Sequence, residues 1–244
     1  MTTIFNPSIL RAFCKSSKPR SILSIHPHVF GRNIHASTSF KMPEALKKGE
    51  VDAGNDPAVT KQFDSETPKD VQFKELYDLI DGQKIGMLST YRKNVGFVGR
   101  SMAVAKRSGP DILYLTNKDS QKFEDLKSNR EVQIVFQDTK TQDWISISGE
   151  ATTASNDDPR IKELYSSTVS AWFGDLKDGV HDGTWKDPRM SLIEVKSKHI
   201  VYWKKEVSTL GFMKEVGQAA LTGSVAQTGA QRELTGSDIE KERV

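Results

Sequence analysis

Leu113-Tyr114-Leu115-Thr116-Asn117-Lys118-Asp119-Ser120-Gln121-Lys122-Phe123 carries an apolar strand through a polar turn into a helix. Ile112 to Leu115 reads as strand. From Ser120 the spacing becomes helical, with Phe123 and Leu126 on one face and Glu124, Asp125 and Lys127 off it. Ser120 or Asp119 is suited to cap that helix. A helix start presents unpaired backbone N–H groups and a partial positive charge. The Ser120 hydroxyl and Lys122 ammonium beside it therefore suit an anion, above all a phosphate. Capping serines and first-turn lysines are common, so the stretch takes its meaning from its surroundings.

Those surroundings are short strands. Lys84 to Tyr91 and Phe97 to Lys106 read as two strands, with Arg92-Lys93-Asn94 as the hairpin tip between them. Ser108-Gly109-Pro110 precedes the Ile112–Leu115 strand, the helix runs from Ser120 to Ser128, and Val132 to Phe136 starts another strand. Trp144 to Ala151 alternates with period two, as a half-buried antiparallel strand does, and Met190–Val195 and His199–Trp203 read as two more. Helices are expected at Val71–Ile80 and from Pro159 to about Val169. Short connections without regular βαβ alternation predict a mainly β chain with flanking helices, an α+β protein built on a small antiparallel barrel.

Gly99-Arg100-Ser101-Met102, Tyr114-Leu115-Thr116-Asn117, Ser120-x-Lys122 and Gly149-Glu150-Ala151 follow one another in this order, and Ala171-Trp172-Phe173-Gly174-Asp175 leads on to Asp187-Pro188-Arg189-Met190. In that arrangement the chain resembles the FMN-binding split-barrel superfamily, which includes the pyridoxamine phosphate oxidases. The Ala171 to Met190 segment looks like the general stress flavoprotein branch and, most of all, the fungal blue-light-induced stress proteins. The resemblance covers about Gln62 to Trp203 and implies an FMN-binding split β-barrel. It also implies that Arg100 and Lys122 grip the FMN phosphate with Ser120, that Ser101 is a further cofactor-binding residue, and that Met102, Leu115 and Thr116 lie along the flavin. A homodimer with FMN at its interface is implied as well.

The chain departs from the oxidases in one respect. Their Arg-x-His substrate motif follows a Trp near the C-terminus, whereas Trp203 here is followed by Lys204-Lys205-Glu206-Val207-Ser208. Vitamin B6 oxidation is not expected. Trp144 stands where those oxidases have a polar residue touching the ring. Trp172 and Phe173 either cover the ring from the partner subunit or pack as ordinary core or interface aromatics, and Trp144 and Trp203 are read as structural.

A dianionic phosphate needs a cationic clamp and the isoalloxazine an apolar slot; Arg100 offers a planar fork and Lys122 a point charge. Other chemistry is sparse. Asp178-Gly179-Val180-His181-Asp182-Gly183 has metal-ligand types but reads as a turn, and no metal is expected. No dinucleotide fingerprint, P-loop, zincin or serine-hydrolase motif occurs. No catalytic acid or base stands out.

The 244 residues, 36% of them hydrophobic, suit one domain with tails. Residues 1 to 43 contain no Asp or Glu but hold Arg11, Lys15, Lys18, Arg20, Arg32 and Lys41 among many serines, the composition of a mitochondrial transit peptide. Setting those six aside leaves 29 Lys and Arg against 32 Asp and Glu, so the net charge of +3 gives no support for nucleic-acid binding. The one cysteine, Cys14, lies in that leader, and no apolar run is of membrane-spanning length. Residues 1–41 are thus expected to be a transit peptide, 42–68 a polar linker, 69–206 the barrel, and 207–244 a weakly helical to disordered tail. Met42 offers a second start that would leave the protein cytoplasmic. The function expected is a stress-type FMN oxidoreductase acting on an unknown small redox substrate. The alternatives are a non-catalytic flavin carrier or sensor, or a pocket adapted to haem or a deazaflavin.

Overall fold

Ile85–Arg92 (β1) and Gly96–Ala103 (β2) form an antiparallel hairpin in which Leu88 faces Arg100 and Tyr91 faces Phe97. Asn94 adopts a positive φ of 65° at the hairpin tip, a conformation asparagine tolerates better than most residues. The computed structural model describes residues 56–243. The transit-peptide reading of residues 1–41, the start at Met42 and most of the 42–68 linker lie outside the described residues.

The remaining strands are Lys106–Ser108 (β3), Asp111–Asn117 (β4), Glu131–Gln137 (β5), Trp144–Ala154 (β6), Met190–Lys205 (β7) and Gly229–Leu234 (β8). They form one antiparallel sheet in the order β2-β1-β5-β6-β7-β4-β3, with β8 also paired to β7. β7 joins the two strands expected at Met190–Val195 and His199–Trp203. It stays on β6 throughout, while its first half pairs with β4 and its second half with β8. The register shifts at Ser148/Gly149, where a bulge lets the long strand bend. A Cβ on Gly149 would lie 2.5 Å from the Lys196 carbonyl oxygen, so the close approach there requires glycine.

One face of the curled sheet encloses the main core, which includes Leu88, Tyr114, Phe136, Ile147 and Tyr202. Lys69–Gln83 (α2) adds Phe73, Leu76 and Ile80 to it, and Gln121–Ser128 (α3) adds Phe123 and Leu126. The helical spacing of these residues puts each apolar set on one stripe. A second cluster, Leu113, Ile161, Met190 and Leu192, lies under Pro159–Leu164 (α4) and Ser167–Ser170 (α5). The single helix expected from Pro159 is broken at Tyr165, whose ψ of 136° leaves the helical region. Together these elements make the split-barrel fold: mainly antiparallel sheet with flanking helices.

The tail begins with the helix expected of it, but the disorder expected after that helix is replaced by packed elements. After Thr209–Thr222 (α6), β8 adds a strand to β7, and Gly236–Glu242 (α7) packs behind it. Composition missed a few anchors. Leu234 and Ile239 are fully buried in the main core. Buried Arg232 pairs with Asp64 at 2.9 Å, Glu75 at 3.0 Å and Glu206 at 2.8 Å, and Arg243 forks onto Asp111. The domain also begins earlier than residue 69, because Pro57–Gln62 (α1) precedes a bridge between Phe63 and Gln231. Among the described residues, no helix is long and apolar enough to cross a membrane.

Candidate functional site

Strand alternation puts Leu88, Thr90 and Arg92 of β1 on the same face as Arg100 and Met102 of β2, the face against which α3 packs. Lys122 and Asp125 lie three residues apart on α3 and are both buried. Asp125 is the hub, with its side chain 2% exposed. Its carboxylate accepts from Thr90 Oγ1 at 2.8 Å, from Arg92 Nε and Nη2 at 3.0 and 3.2 Å, and from Arg100 Nη2 at 3.3 Å. Thr90 Oγ1 in turn accepts from Arg100 Nη1 at 2.8 Å. Burial pushes the Asp125 carboxyl upward, but the hydrogen bonds from Arg92 and Thr90 and the two guanidinium charges outweigh it and hold the pKa below the usual carboxylate value.

Lys122 is placed differently. Its Nζ donates to Ser120 Oγ at 2.6 Å, and among the described residues no carboxylate lies within ion-pair distance of it. Ser120 Oγ donates onward to the Asn117 carbonyl at 2.7 Å and gives α3 no side-chain cap. Burial, and then the nearby Arg100 charge, bring the Lys122 pKa down to about 8. Arg92 and Arg100, both part-buried, thus share one carboxylate, and buried Lys122 stands near Arg100 without one, so the three cations outnumber Asp125 by two positive charges. A buried cation without an anion is unfavourable. A phosphate monoester, with a charge of about −1.5 to −2 at neutral pH, matches the surplus.

The structure therefore brings Arg100, Ser120 and Lys122 together, with Thr116 buried at the end of the strand leading into the Ser120 turn. Ser101 points to the opposite, exposed face of β2. Met102 shares the face of Arg100 but packs against the main core. Leu115 turns away from Thr116, toward the second core cluster. Trp172 stands 84% exposed. Its segment is tied down by Arg189, which donates to the carbonyls of Phe173 and Gly174 and forks onto Asp187, and whose own carbonyl accepts from Lys118 N at 2.8 Å. Through Arg189 the Phe173–Gly174 backbone is tied to the β4–α3 turn.

Thr90, Arg92 and Asp125 are absent from the sequence-derived site. Period-two counting from Leu88 would have put Thr90 and Arg92 beside Arg100, and the i, i+3 relation would have put Asp125 beside Lys122. Reading Arg92 as part of the hairpin tip hid this. The Asp178–Gly183 loop pairs His181 Nδ1 with Asp178 Oδ2 at 2.6 Å, and among the described residues no three potential metal-ligand side chains gather.

The opposite face of the sheet is exposed and apolar along β1 and β2, with Ile85, Met87, Tyr91 and Phe97, the last 73% exposed. Tyr91 and Phe97 meet edge to face at 5.5 Å. On that same face, Trp144 and Trp203 are cross-strand partners and line a cleft of about 570 Å³ with Gln62, Gln142, Thr228 and Gln231. Trp203 Nε1 donates to Gln62 Oε1 at 2.7 Å. A Cβ on Gly229 would lie 2.4 Å from the indole, so β8 passes close over that ring only as glycine.

Comparison with known proteins gives a consistent family. The profile described as "Pyridoxamine 5'-phosphate oxidase like" matches residues 71–227. Protein bli-3 of Neurospora crassa is 34% identical over 199 residues, covering 79% of this chain and 95% of that protein. A crystal structure assigned to a general stress protein 26 from Jannaschia sp. CCS1 superposes with a TM-score of 0.53 at 21% identity, over 69% of this chain and 99% of that one. The general stress FMN/FAD binding protein from Xanthomonas citri matches with a TM-score of 0.48 at 23% identity, over 57% of this chain and 92% of that one.

Proposed function

The chain belongs to the pyridoxamine 5'-phosphate oxidase like family, and from that premise we propose that it is a stress-type flavoprotein that holds FMN by its phosphate in the cradle of Arg100, Ser120 and Lys122. The observation that carries this reading is Lys122, a buried ammonium whose hydrogen-bond partner is a hydroxyl and whose neighbour is another cation. The FMN phosphate supplies the missing counter-charge through charge-assisted hydrogen bonds. When bound, the isoalloxazine supplies one- or two-electron redox chemistry; the protein's part is to anchor the phosphate, orient the ring and exclude water.

The activity proposed is electron transfer from a reduced donor to a small acceptor, not oxidation of vitamin B6. At the place of the Arg-x-His motif, Lys204 pairs with Glu75 at 2.7 Å, and Lys205 N donates to Asp143. These groups serve the fold. We also propose a homodimer joined through the exposed β1–β2 face, where a second copy related by a two-fold axis would cover the row of large apolar side chains. The cradle and the Trp144–Trp203 cleft lie on opposite faces of the sheet; in the proposed dimer a ring anchored in one protomer would lie against the cleft of its partner, with Trp172 as a further cover. Residues 1 to 41 are proposed to direct the protein to mitochondria, and a product starting at Met42 to remain cytoplasmic.

The test is the visible absorption spectrum of the purified protein, followed by anaerobic mixing with NADPH. Bound flavin that bleaches and recovers with an added acceptor supports the oxidoreductase. Bound flavin that no pyridine nucleotide reduces indicates a carrier or sensor, and a colourless protein that takes up no FMN removes the reading.

A further inference from the structure

Resting on the FMN reading above, we propose that Asp125 is a positioning residue for the phosphate, and that through it Arg92 becomes a further phosphate-binding cation beside Arg100 and Lys122. Arg92 lies at the end of β1, outside the motifs that pointed to this site. Its Nε and Nη2 are both committed to Asp125, which fixes the guanidinium plane and, among the described residues, leaves Nη1 to meet a ligand. Arg100 is fixed in the same way by two different acceptors, Thr90 Oγ1 through Nη1 and Asp125 Oδ2 through Nη2. One buried carboxylate on α3 therefore aligns two forks from neighbouring strands, and α3 itself carries Lys122 one turn earlier.

Without Asp125, two mutually repelling and only part-exposed guanidinium groups would not be held side by side. Their shared carboxylate removes the rotamer freedom that each would otherwise lose on binding, the physical content of preorganisation. It also sets the charge. With Asp125 the corner has a surplus of two positive charges, which one phosphate monoester neutralises. Asp125 acts through the arginines and has no reason to touch the flavin.

The experiment is a set of equilibrium titrations of the flavin-free full-length protein with FMN and with riboflavin, on wild type, Arg92→Gln, Thr90→Val and Asp125→Asn. Thr90→Val removes one anchor of Arg100 without altering charge, and keeps the test open if Asp125→Asn fails to fold. The expectation is a roughly tenfold fall in FMN affinity for each variant with riboflavin affinity unmoved, the loss of about one charge-assisted hydrogen bond. Inorganic phosphate should compete with FMN less well in each variant than in wild type. Unchanged FMN affinity in Arg92→Gln and Thr90→Val overturns the proposal, as does tighter FMN binding by Asp125→Asn, which would make Asp125 a brake on charge. Failure of wild type to prefer FMN over riboflavin is a separate result that removes the underlying phosphate reading.

Discussion

Lys122 Nζ lies 2.6 Å from Ser120 Oγ, and burial and then the positive charge of Arg100 both weaken its hold on its proton. Such an arrangement is unfavourable in the ligand-free protein and becomes favourable when an anion enters.

Lys122→Met should therefore separate stability from binding. Removing the buried ammonium relieves its desolvation, so the flavin-free protein gains about 1 kcal/mol, or roughly 2–4 °C in Tm. FMN affinity falls tenfold or more in the same variant. Differential scanning calorimetry of the flavin-free proteins, paired with FMN titration, checks both halves.

FMN affinity should depend on pH above neutrality. The Lys122 pKa is lowered to about 8 in the ligand-free fold, so above that value binding must first restore its proton. Affinity then weakens by up to tenfold per pH unit until the pKa of the bound lysine is reached, while riboflavin affinity stays level. The fold responds with the opposite sign. Between about 8 and the ordinary lysine value the unfolded chain holds a proton that the folded one has lost, so the flavin-free protein becomes more stable as pH rises through that window. Titrations between pH 7 and 9.5 check the first statement, and urea melts over the same range check the second.

Arg232→Ala should destabilise the domain by about 3 kcal/mol, because Asp64, Glu75 and Glu206 lose the guanidinium they share. Ending the chain after Glu206 should be worse. It uncovers the backbone of β7 and deletes the buried Leu234 and Ile239, each a loss on the order of 2–5 kcal/mol. Denaturant midpoints for the point variant and soluble yield for the truncation check these expectations.

Phe97→Glu should dissociate the proposed dimer without unfolding the protomer, since Phe97 is exposed on β2. Sedimentation equilibrium at low micromolar concentration should move from dimer to monomer while the circular dichroism spectrum is unchanged.

Most barrel strands were legible because each has a half-buried alternation or an apolar run bounded by turn residues, as Trp144 to Ala151 does; Lys106–Ser108, short and polar, was not, and the strand expected from Phe97 to Lys106 ends at Ala103. That Arg100, Ser120 and Lys122 come together was legible through motif order. The tail was not, because its anchoring depends on partners far away in sequence: Arg232 reaches Asp64, and Arg243 reaches Asp111. Gly- and Ala-rich composition reports a shortage of apolar area but is silent on ion pairs that fasten a strand to an existing sheet edge. Asp125 was hidden for a related reason. On a helix it reads as a solvated acid, and only the packing of α3 against β1 shows it facing Thr90 and Arg92.

The central claim, that this corner is a phosphate site for FMN, is tested most directly by titrating flavin-free full-length protein with FMN and riboflavin side by side at pH 7, in wild type and in Lys122→Ala. The account predicts saturable FMN binding, at least tenfold tighter than riboflavin, with that gap closing in the variant. Equal affinities for the two flavins in wild type, or a gap that survives Lys122→Ala intact, would contradict it.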